Sequence, residues 1–373
     1  MKLTKFFAFA LAALAFVGCG NDSNTDQPFN SSLFLTVNDS EKVSVQIDDV
    51  VTFKVTDDMG NDVTAQASIY SFDKKGDMVR HNEPTFTATQ TGRYEFFATL
   101  GAQNSNYATI SVLAQMPDYV ADPQPSNLKF NHRVLLIDHT GVNCGYCPFA
   151  TDALREVAAT DWHNHYSEVT CHAGDFAGGD PANSKAANAL NKYQESIISG
   201  YPSILVNFFS RAGSYTKPYI ISALEEAVNM NGAEVGISMA VTGDPEALYC
   251  AAEVKAAVAG EYRVTAWLLE SKISSPKQAN AKKDYHKIYD NALRNMAHKF
   301  SETNVQGGKD EQYTIAEGAT QKIAFTLPVT STKWNYENMS VVVIVTKNTS
   351  KGWDVVNTLS CPINESKAFE YLQ

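Results

Sequence analysis

The strongest constraint on the fold of this 373-residue chain is the stretch from Val134 to Phe149, where an apolar strand leads into two closely spaced cysteines. Cys144 and Cys147 are separated only by Gly145 and Tyr146, and a segment with helical periodicity follows. A thiol at a helix N-terminus ionises more easily, because the free N–H groups there favour negative charge. A second cysteine one turn away can attack a mixed disulfide. The spacing predicts a redox pair; a static disulfide and a zinc site, which needs two further ligands, are the alternatives.

Two residues outside the motif favour the redox interpretation. Asp138 lies near the end of the strand, six residues before the first cysteine. A carboxyl group buried beneath a dithiol has a raised pKa and can accept the proton of the resolving thiol. Pro202 directly precedes another apolar strand, and a cis Tyr201–Pro202 bond would present backbone to an extended substrate. We therefore predict Asp138 and Pro202 as catalytic residues beside the two cysteines, and Tyr201 and Tyr146 as substrate contacts.

The residues that flank the pair predict how the turn is built. Asn143, directly before the first cysteine, can serve as a helix N-cap. Pro148 has no N–H and would break a hydrogen bond in a helix that began at Cys144. We therefore expect Pro148 to be the first helical residue, with CGYC forming a tight turn at the tip of the helix.

The N-terminus has the pattern of an export signal. Two lysines precede an apolar run, Phe6 to Val17, which is too short to span a bilayer. The run leads through Gly18 to Cys19 in a pattern that resembles the cleavage site of bacterial lipoproteins, with lipid attached to Cys19. Cleavage without lipidation is the alternative. Either way, the pattern predicts export to the cell envelope.

Three folded regions follow. Short alternating strands predict a β-sandwich, and Thr91-Gly92-Arg93-Tyr94 resembles the tyrosine turn of immunoglobulin-like domains. Strands that alternate with helices then predict an α/β layer, and alternating strands return beyond it. An insertion in the last region contains a candidate helix, Tyr285 to Phe300. The predicted boundaries are 1–18 for the signal peptide, 19–31 for a flexible tether, 32–115 for the immunoglobulin-like β-sandwich, 116–127 for a linker, 128–232 for the α/β domain and 233–373 for a C-terminal β-sandwich with a long insertion near 271–311.

Three other cysteines require an explanation in an oxidising compartment. Cys171 ends a strand predicted to run parallel to the strand before CGYC, so it is a candidate third redox thiol; a buried inert cysteine is the commoner case. Cys250 and Cys361 both fall in predicted strands, where a structural disulfide could join them. A zinc cluster of Cys171 with three nearby histidines (163, 165 and 172) is a weaker alternative, because the spacing is irregular.

These residues carry two resemblances. Residues 128–232 resemble a thioredoxin-like domain, with strand, CGYC, helix, proline loop, strand and final helix in that order. The longer string D-H-T-G-x-x-C-G-Y-C-P, from Asp138, resembles the outer-membrane-protein-28-related lipoproteins of Bacteroidetes-type bacteria. Their later signature is matched loosely by His286, Leu293-Arg294 and Gly307-Gly308. The second resemblance implies a lipoprotein on the outer membrane of a Gram-negative bacterium, facing either side.

The predicted protein is a lipid-anchored, multidomain β and α/β protein that exchanges thiols and disulfides with protein substrates of the cell envelope. In this hypothesis Cys144 attacks, Cys147 resolves, Asp138 handles the proton and the Pro202 loop holds the substrate. No organic cofactor and no metal are expected. A net charge of −11 disfavours nucleic acid, whose phosphates would repel it. The alternative is a surface-exposed binding or adhesin-type lipoprotein that uses the thioredoxin-like domain as a scaffold.

Overall fold

The computed structural model describes residues 33–72, 76–350 and 352–372. The predicted signal peptide, the lipidation residue Cys19 and the tether lie outside the described residues. Within those residues, no helix is both long enough and apolar enough to cross a membrane. The described chain is mostly β-structure and contains three α-helices.

The N-terminal region consists of two sheets that pack face to face. Its strands are β1 (Leu33–Val37), β2 (Lys42–Gln46), β3 (Val50–Asp57), β4 (Ser68–Phe72), β5 (Met78–His81), β6 (Thr85–Thr87), β7 (Gly92–Leu100), β8 (Gln103–Asn104) and β9 (Ala108–Leu113). One sheet has the order β1-β3-β6 and the other β2-β9-β7-β4-β5, with β8 paired to β7. Buried and exposed residues alternate along β3, since one face of the strand covers the core. That core includes Leu35, Phe53 and Phe96.

The central region alternates strands and helices. Its elements are β10 (Val134–Thr140), α1 (Cys147–Ala158), β11 (Tyr166–His172), α2 (Lys185–Tyr193), β12 (Ser203–Val206), β13 (Ser210–Arg211) and α3 (Lys217–Ala227). Strand β10 is buried along its whole length, which is why its sequence is continuously apolar up to Asp138. It pairs in parallel with β11 and antiparallel with β12. Helices α1 and α3 pack on one face of these strands, and α2 packs on the other.

The C-terminal strands extend the central sheet and add a second one. They are β14 (Val235–Gly243), β15 (Ala247–Ala256), β16 (Gly260–Glu270), β17 (Ile273–Ser274), β18 (Ile288–Tyr289), β19 (Ala292–Met296), β20 (Gln312–Ile315), β21 (Thr320–Pro328), β22 (Met339–Thr349), β23 (Gly352–Pro362) and β24 (Glu365–Lys367). A four-stranded sheet has the order β21-β15-β14-β24, and β17 pairs with β18. The four-stranded sheet packs on β16, β22 and β23 through a large apolar core.

The sheet topology shows that the predicted fold class is wrong. A nine-stranded sheet runs β13-β12-β10-β11-β19-β16-β22-β23, with β20 also paired to β16. It joins strands from both sides of residue 232, and a single core contains Ile137 and Val169 together with Trp267 and Val342. No separate thioredoxin-like α/β domain is shown in the described part of the chain.

The join depends on the segment predicted as a helix over Tyr285 to Phe300. This segment instead contains a short 3₁₀ turn, Asp284–Lys287, followed by β18 and β19. Ala292 pairs in parallel with Thr170 of β11, while the other edge of β19 pairs with β16. Arg294 is buried against Glu270 of β16, with Nε 2.6 Å from the carboxylate. The segment predicted as a helix therefore supplies β19, a strand that is buried except at Asn295.

Candidate redox site

The CGYC turn is anchored to a neighbouring loop. A Cβ on Gly141 would lie 2.7 Å from the Phe176 carbonyl oxygen, so only glycine permits this approach. The Asn143 N–H donates to the same oxygen at 3.0 Å, and Asn143 Nδ2 donates to the Gly178 carbonyl oxygen at 3.0 Å. Asn143 thus binds the loop. The prediction that it caps the helix is wrong, because the N-cap residue is Tyr146.

Cys144 and Cys147 are joined in a disulfide, with their Cα atoms 5.5 Å apart. Helix α1 begins at Cys147, and Pro148 lies in its first turn, where a missing N–H costs no helical hydrogen bond. The Cys147 N–H points at Cys144 Sγ, 3.1 Å away. A thiolate on Cys144 would therefore be stabilised by this N–H and by the helix dipole.

The disulfide is buried beneath a segment that follows it by about 130 residues. Cys144 is 1% exposed and Cys147 is 2% exposed. We call residues 275–289, which run from the end of β17 through β18, the covering segment. Its contacts with the CGYC loop are hydrogen bonds to main-chain carbonyl oxygens: Gln278 Nε2 to Cys144 (3.0 Å), Asn280 Nδ2 to Gly145 (2.9 Å) and the Ala279 N–H to Val142 (2.8 Å).

Asp152 of α1 fastens the covering segment. Its Oδ1 accepts hydrogen bonds from Tyr285 OH at 2.5 Å, His286 Nε2 at 2.8 Å and Lys283 Nζ at 3.0 Å. Burial alone would raise the pKa of Asp152, but the hydrogen bonds from Tyr285, His286 and Lys283 lower it to about 2. Arg155, one turn further along α1, lies 4.3 Å from the centre of the Tyr285 ring. His286 was singled out by the family resemblance, but its pairing with Asp152 could not be predicted, because the two residues are 134 positions apart in the chain.

Asp138 lies on β10 beneath the disulfide, on the face that α1 covers. It is 3% exposed, and its Oδ1 has no hydrogen-bond partner among the described residues. Burial raises the pKa of Asp138 to about 8, with a further contribution from the charge of Glu168. That value is close to the pKa of an ordinary thiol, so a proton could pass between the two groups at little cost in free energy.

The Tyr201–Pro202 peptide bond is cis, as the sequence predicts. The strand that follows pairs Ser203 with His139 of β10, which places Pro202 next to the end of that strand. Tyr201 OH donates to Asn191 Oδ1 at 2.5 Å, and its ring packs 5.3 Å from that of Phe176. Tyr201 is thus tied to the loops around the site.

Tyr146, the other predicted substrate contact, is 64% exposed between the two cysteines. Its ring lies 6.4 Å from that of Phe149, which is also exposed. Both rings lie at the tip of α1, so they are available to a bound protein.

Asp180 and His172 support the turn before Cys144, a role that no motif in the sequence predicts. Asp180 Oδ2 accepts the Val142 N–H at 2.8 Å and His172 Nδ1 at 2.9 Å. Burial opposes ionisation of Asp180, but the hydrogen bond and charge of His172 lower its pKa overall. The His172 ring packs 4.2 Å from that of Tyr289 in the covering segment. These residues link the turn to its cover.

Cys171 is not brought to the disulfide. Its neighbours are on the α2 face of the sheet, where its thiol donates to the Ala187 carbonyl oxygen at 3.1 Å. Burial raises the pKa of the Cys171 thiol well above its usual range. The three histidines of the zinc alternative are divided as well: His163 and His165 precede β11 and His172 ends it.

Cys250 and Cys361 are free and buried, so the disulfide proposed between them is not formed. Cys250 lies on β15 and Cys361 on β23, in the two sheets of the C-terminal core. Both side chains serve as small apolar groups in that core. Their strand positions were predictable, but the distance between their sulfur atoms was not.

The geometry defines a mostly β protein that carries a covered C-x-x-C disulfide, a buried acid and a cis proline. Residues 187–367 match the family model described as "Outer membrane protein Omp28". This confirms the resemblance to the outer-membrane-protein-28-related family over those residues, which include Pro202 and the covering segment. The match begins after Cys147, so it does not extend to CGYC or to the predicted thioredoxin-like character.

The comparison with solved structures includes a likeness to a bacterial protein of similar fold. HBP35 of Porphyromonas gingivalis is 15% identical with a TM-score of 0.53, and the match covers 66% of this chain and 80% of that chain. At this identity the likeness concerns the fold alone. A DUF4785 family protein from Legionella pneumophila is 8% identical over 90% of this chain and 58% of that one, but its TM-score of 0.20 carries no argument. No curated protein matches the sequence.

Proposed function

We propose that this protein exchanges thiols and disulfides with protein substrates of the cell envelope through Cys144 and Cys147. The observation that carries the proposal is the position of the disulfide at the start of α1, above the buried Asp138, whose Oδ1 has no hydrogen-bond partner among the described residues. The cis Pro202 beside the end of β10 adds a backbone edge for an extended substrate. A purely structural disulfide needs neither the acid nor the proline.

The reaction requires no cofactor. In the reductive direction, the Cys144 thiolate attacks a substrate disulfide, and one substrate sulfur leaves as a thiolate that takes up a proton from water. Cys147 then gives its proton to Asp138 and attacks Cys144 Sγ, which releases the second substrate sulfur. Two electrons pass from the cysteine pair to the substrate, and the pair becomes the disulfide. The oxidative direction is the reverse, and another protein thiol pair restores the starting state.

We also propose that the chain is held by lipid on Cys19 at the outer membrane of a Gram-negative bacterium. The export signal and the lipoprotein-like Gly18-Cys19 site support the anchor. The description of the family that matches residues 187–367 supports the outer membrane. Mass spectrometry tests this directly. Protein isolated from membranes should begin at Cys19 and carry the added mass of acyl chains. A Cys19→Ala variant should show neither this N-terminus nor the added mass.

The redox proposal is tested on the purified mature protein in buffers of graded thiol and disulfide content. We expect a reversible two-electron transition at Cys144 and Cys147. Alkylation of free thiols and mass spectrometry measure the fraction of protein that is reduced in each buffer. A Cys147→Ser variant should hold a substrate as a mixed disulfide on Cys144, and the matched Cys171→Ser variant should not. A pair that stays oxidised in every buffer, with no mixed disulfide formed, would contradict the proposal.

Burial of the disulfide favours a second candidate. With Cys144 and Cys147 almost inaccessible, the bond could be a fixed cross-link in a surface-exposed binding lipoprotein. A cleft of about 980 Å³ between the N-terminal sandwich and the C-terminal strands, lined by Gln46, Thr91 and Tyr336 among others, offers such a protein a site away from the disulfide. The same titration decides between the two, since only the exchange protein cycles.

A further inference from the structure

A cavity of about 360 Å³ lies beside the disulfide, between α1, β11 and the covering segment. Its inner end is lined by Cys147 and Asp138, which are both buried. Its outer end is lined by Arg155 and Asp290, which are both exposed. Since one water occupies about 30 Å³ of liquid, the cavity has room for several waters between its two ends.

Glu168 lies between these ends. On β11, Thr170 is the partner of Asp138, and Glu168 is two residues earlier on the same face of the strand. It lines the cavity with Asp138 and is only partly exposed. Burial raises the pKa of Glu168 to about 7, with a contribution from the charge of Asp290. Glu168 is therefore a carboxyl group that can both take up and release a proton near neutral pH.

The cavity is a route by which Asp138 could exchange protons with solvent. The covering segment closes the side of the disulfide, and the unpartnered oxygen of Asp138 is fully enclosed. The ionisable groups that face the cavity come from every element around it: Arg155 from α1, His172 from β11, Tyr285 and Tyr289 from the covering segment, and Asp290 from the turn after it. His172 is engaged by Asp180, and Tyr289 OH donates to Gln278 Oε1 at 2.6 Å. Glu168 remains as the free acid nearest to Asp138 along the strand.

We infer that Glu168 carries protons between Asp138 and solvent through this cavity. The inference rests on the proposed thiol–disulfide exchange and adds a residue to it. After Cys147 has given its proton to Asp138, the proton moves through cavity water to the Glu168 carboxylate. Glu168 then releases it to solvent past Arg155 and Asp290, and Asp138 is again ready to accept. In the oxidative direction the proton moves inward along the same groups, so no proton is gained or lost over a full cycle.

The test measures turnover of a protein disulfide, insulin, with dithiothreitol as the electron donor at pH 7. We expect Glu168→Gln to lower turnover on the order of tenfold, because the amide cannot carry a proton. Glu168→Asp should recover most of the rate. Imidazole is small enough to enter the cavity and should restore turnover to Glu168→Gln in proportion to its concentration. The matched control Glu156→Gln, on the exposed face of α1, should behave as wild type.

Three results would overturn the inference. Glu168→Gln with wild-type turnover would show that the proton takes another route, while the exchange function stands. Slow turnover that neither imidazole nor Glu168→Asp relieves would show a structural role for Glu168. Absence of turnover in the wild-type protein would remove the exchange function itself, and with it the need for a relay.

Discussion

The two faces of strands β10 and β11 differ in the polarity of their side chains. Toward α2 they present Ile137, Val169 and Cys171, which join Trp267 in a dry apolar core. Toward α1 they present Asp138 and Glu168, which line the cavity beside the disulfide. Because side chains alternate along a strand, each strand supplies both faces. The comparison shows that the α2 face contributes mainly apolar side chains to the shared core, with His139 buried among them against Gln194, whereas the carboxyl groups of both strands lie on the α1 face.

The largest expected effect is on the pH dependence of stability and comes from replacing Asp138 on the α1 face. The pKa of Asp138, about 8 in the folded protein, is above its ordinary value of 3.8. Between these two pH values the folded state binds more protons than the unfolded state, so stability falls as pH rises from 4 to 8. Asp138→Asn should remove the contribution of Asp138 to this fall, which is at most about 6 kcal/mol, and leave the smaller contribution of Glu168, whose pKa burial raises to about 7.

Urea unfolding at pH 5 and pH 8.5 measures the difference. Asp175→Asn, a change at an exposed carboxyl, is the control and should keep the wild-type pH dependence. An Asp138→Asn variant with wild-type pH dependence would mean that Asp138 is not the buried ionisable group described here.

A change on the apolar face should cost stability at every pH. Trp267 is 0% exposed, and its ring packs 5.9 Å from that of Phe208. Trp267→Ala leaves a large cavity and should lower the free energy of unfolding by about 3–5 kcal/mol. Phe209→Ala, at an exposed neighbour, should cost less than about 1 kcal/mol. Equal effects of the two changes in urea unfolding would contradict the assignment of Trp267 to a shared core.

Weakening the contacts between Asp152 and the covering segment should make the disulfide more accessible. Asp152→Asn weakens three hydrogen bonds to the covering segment, so reduction of the disulfide by a small phosphine should become about tenfold faster. In the wild-type protein these contacts are present above the ordinary pKa of Asp152 and are lost as pH falls through about 2. Glu156→Gln on the same helix is the control. Unchanged reduction kinetics in Asp152→Asn would show that the segment does not limit access.

The smallest effect is expected at Cys171. Its thiol is buried on the α2 face, so Cys171→Ser should leave thiol–disulfide exchange unchanged and cost about 1 kcal/mol of stability. Insulin turnover and urea unfolding measure the two quantities. Loss of exchange in this variant would break the separation of the faces and restore Cys171 as a third redox thiol.

Local features of the site could be predicted from the sequence. The strand before CGYC, the helix after it and the cis bond before Pro202 all follow from neighbouring residues, although the helix begins at Cys147, one residue before the predicted Pro148. Asp138 was predicted to be buried because it lies in a continuous apolar run. Each of these inferences needs only a few consecutive residues.

Features that depend on distant residues could not be predicted. The join of the sheet needs Thr170 to meet Ala292, and the cover needs Gln278 to reach Cys144. The polar composition of the covering segment predicted an insertion. Its role as a cover was hidden, because its amides and charged groups bind main-chain oxygens and Asp152 of distant segments. Arg294 was singled out only as part of the family signature, and its buried ion pair with Glu270 depends on a residue 24 positions earlier in the chain.

The covering segment holds the CGYC loop by hydrogen bonds to its main-chain carbonyl oxygens. These bonds do not involve the side chains of the two residues between the cysteines. A Cβ added to Gly145 would meet no atom within 4 Å, and Tyr146 projects outward. The dipeptide between the cysteines can therefore change without releasing the cover. Substitutions between the cysteines could therefore change the reduction potential of the disulfide without changing its accessibility to substrates.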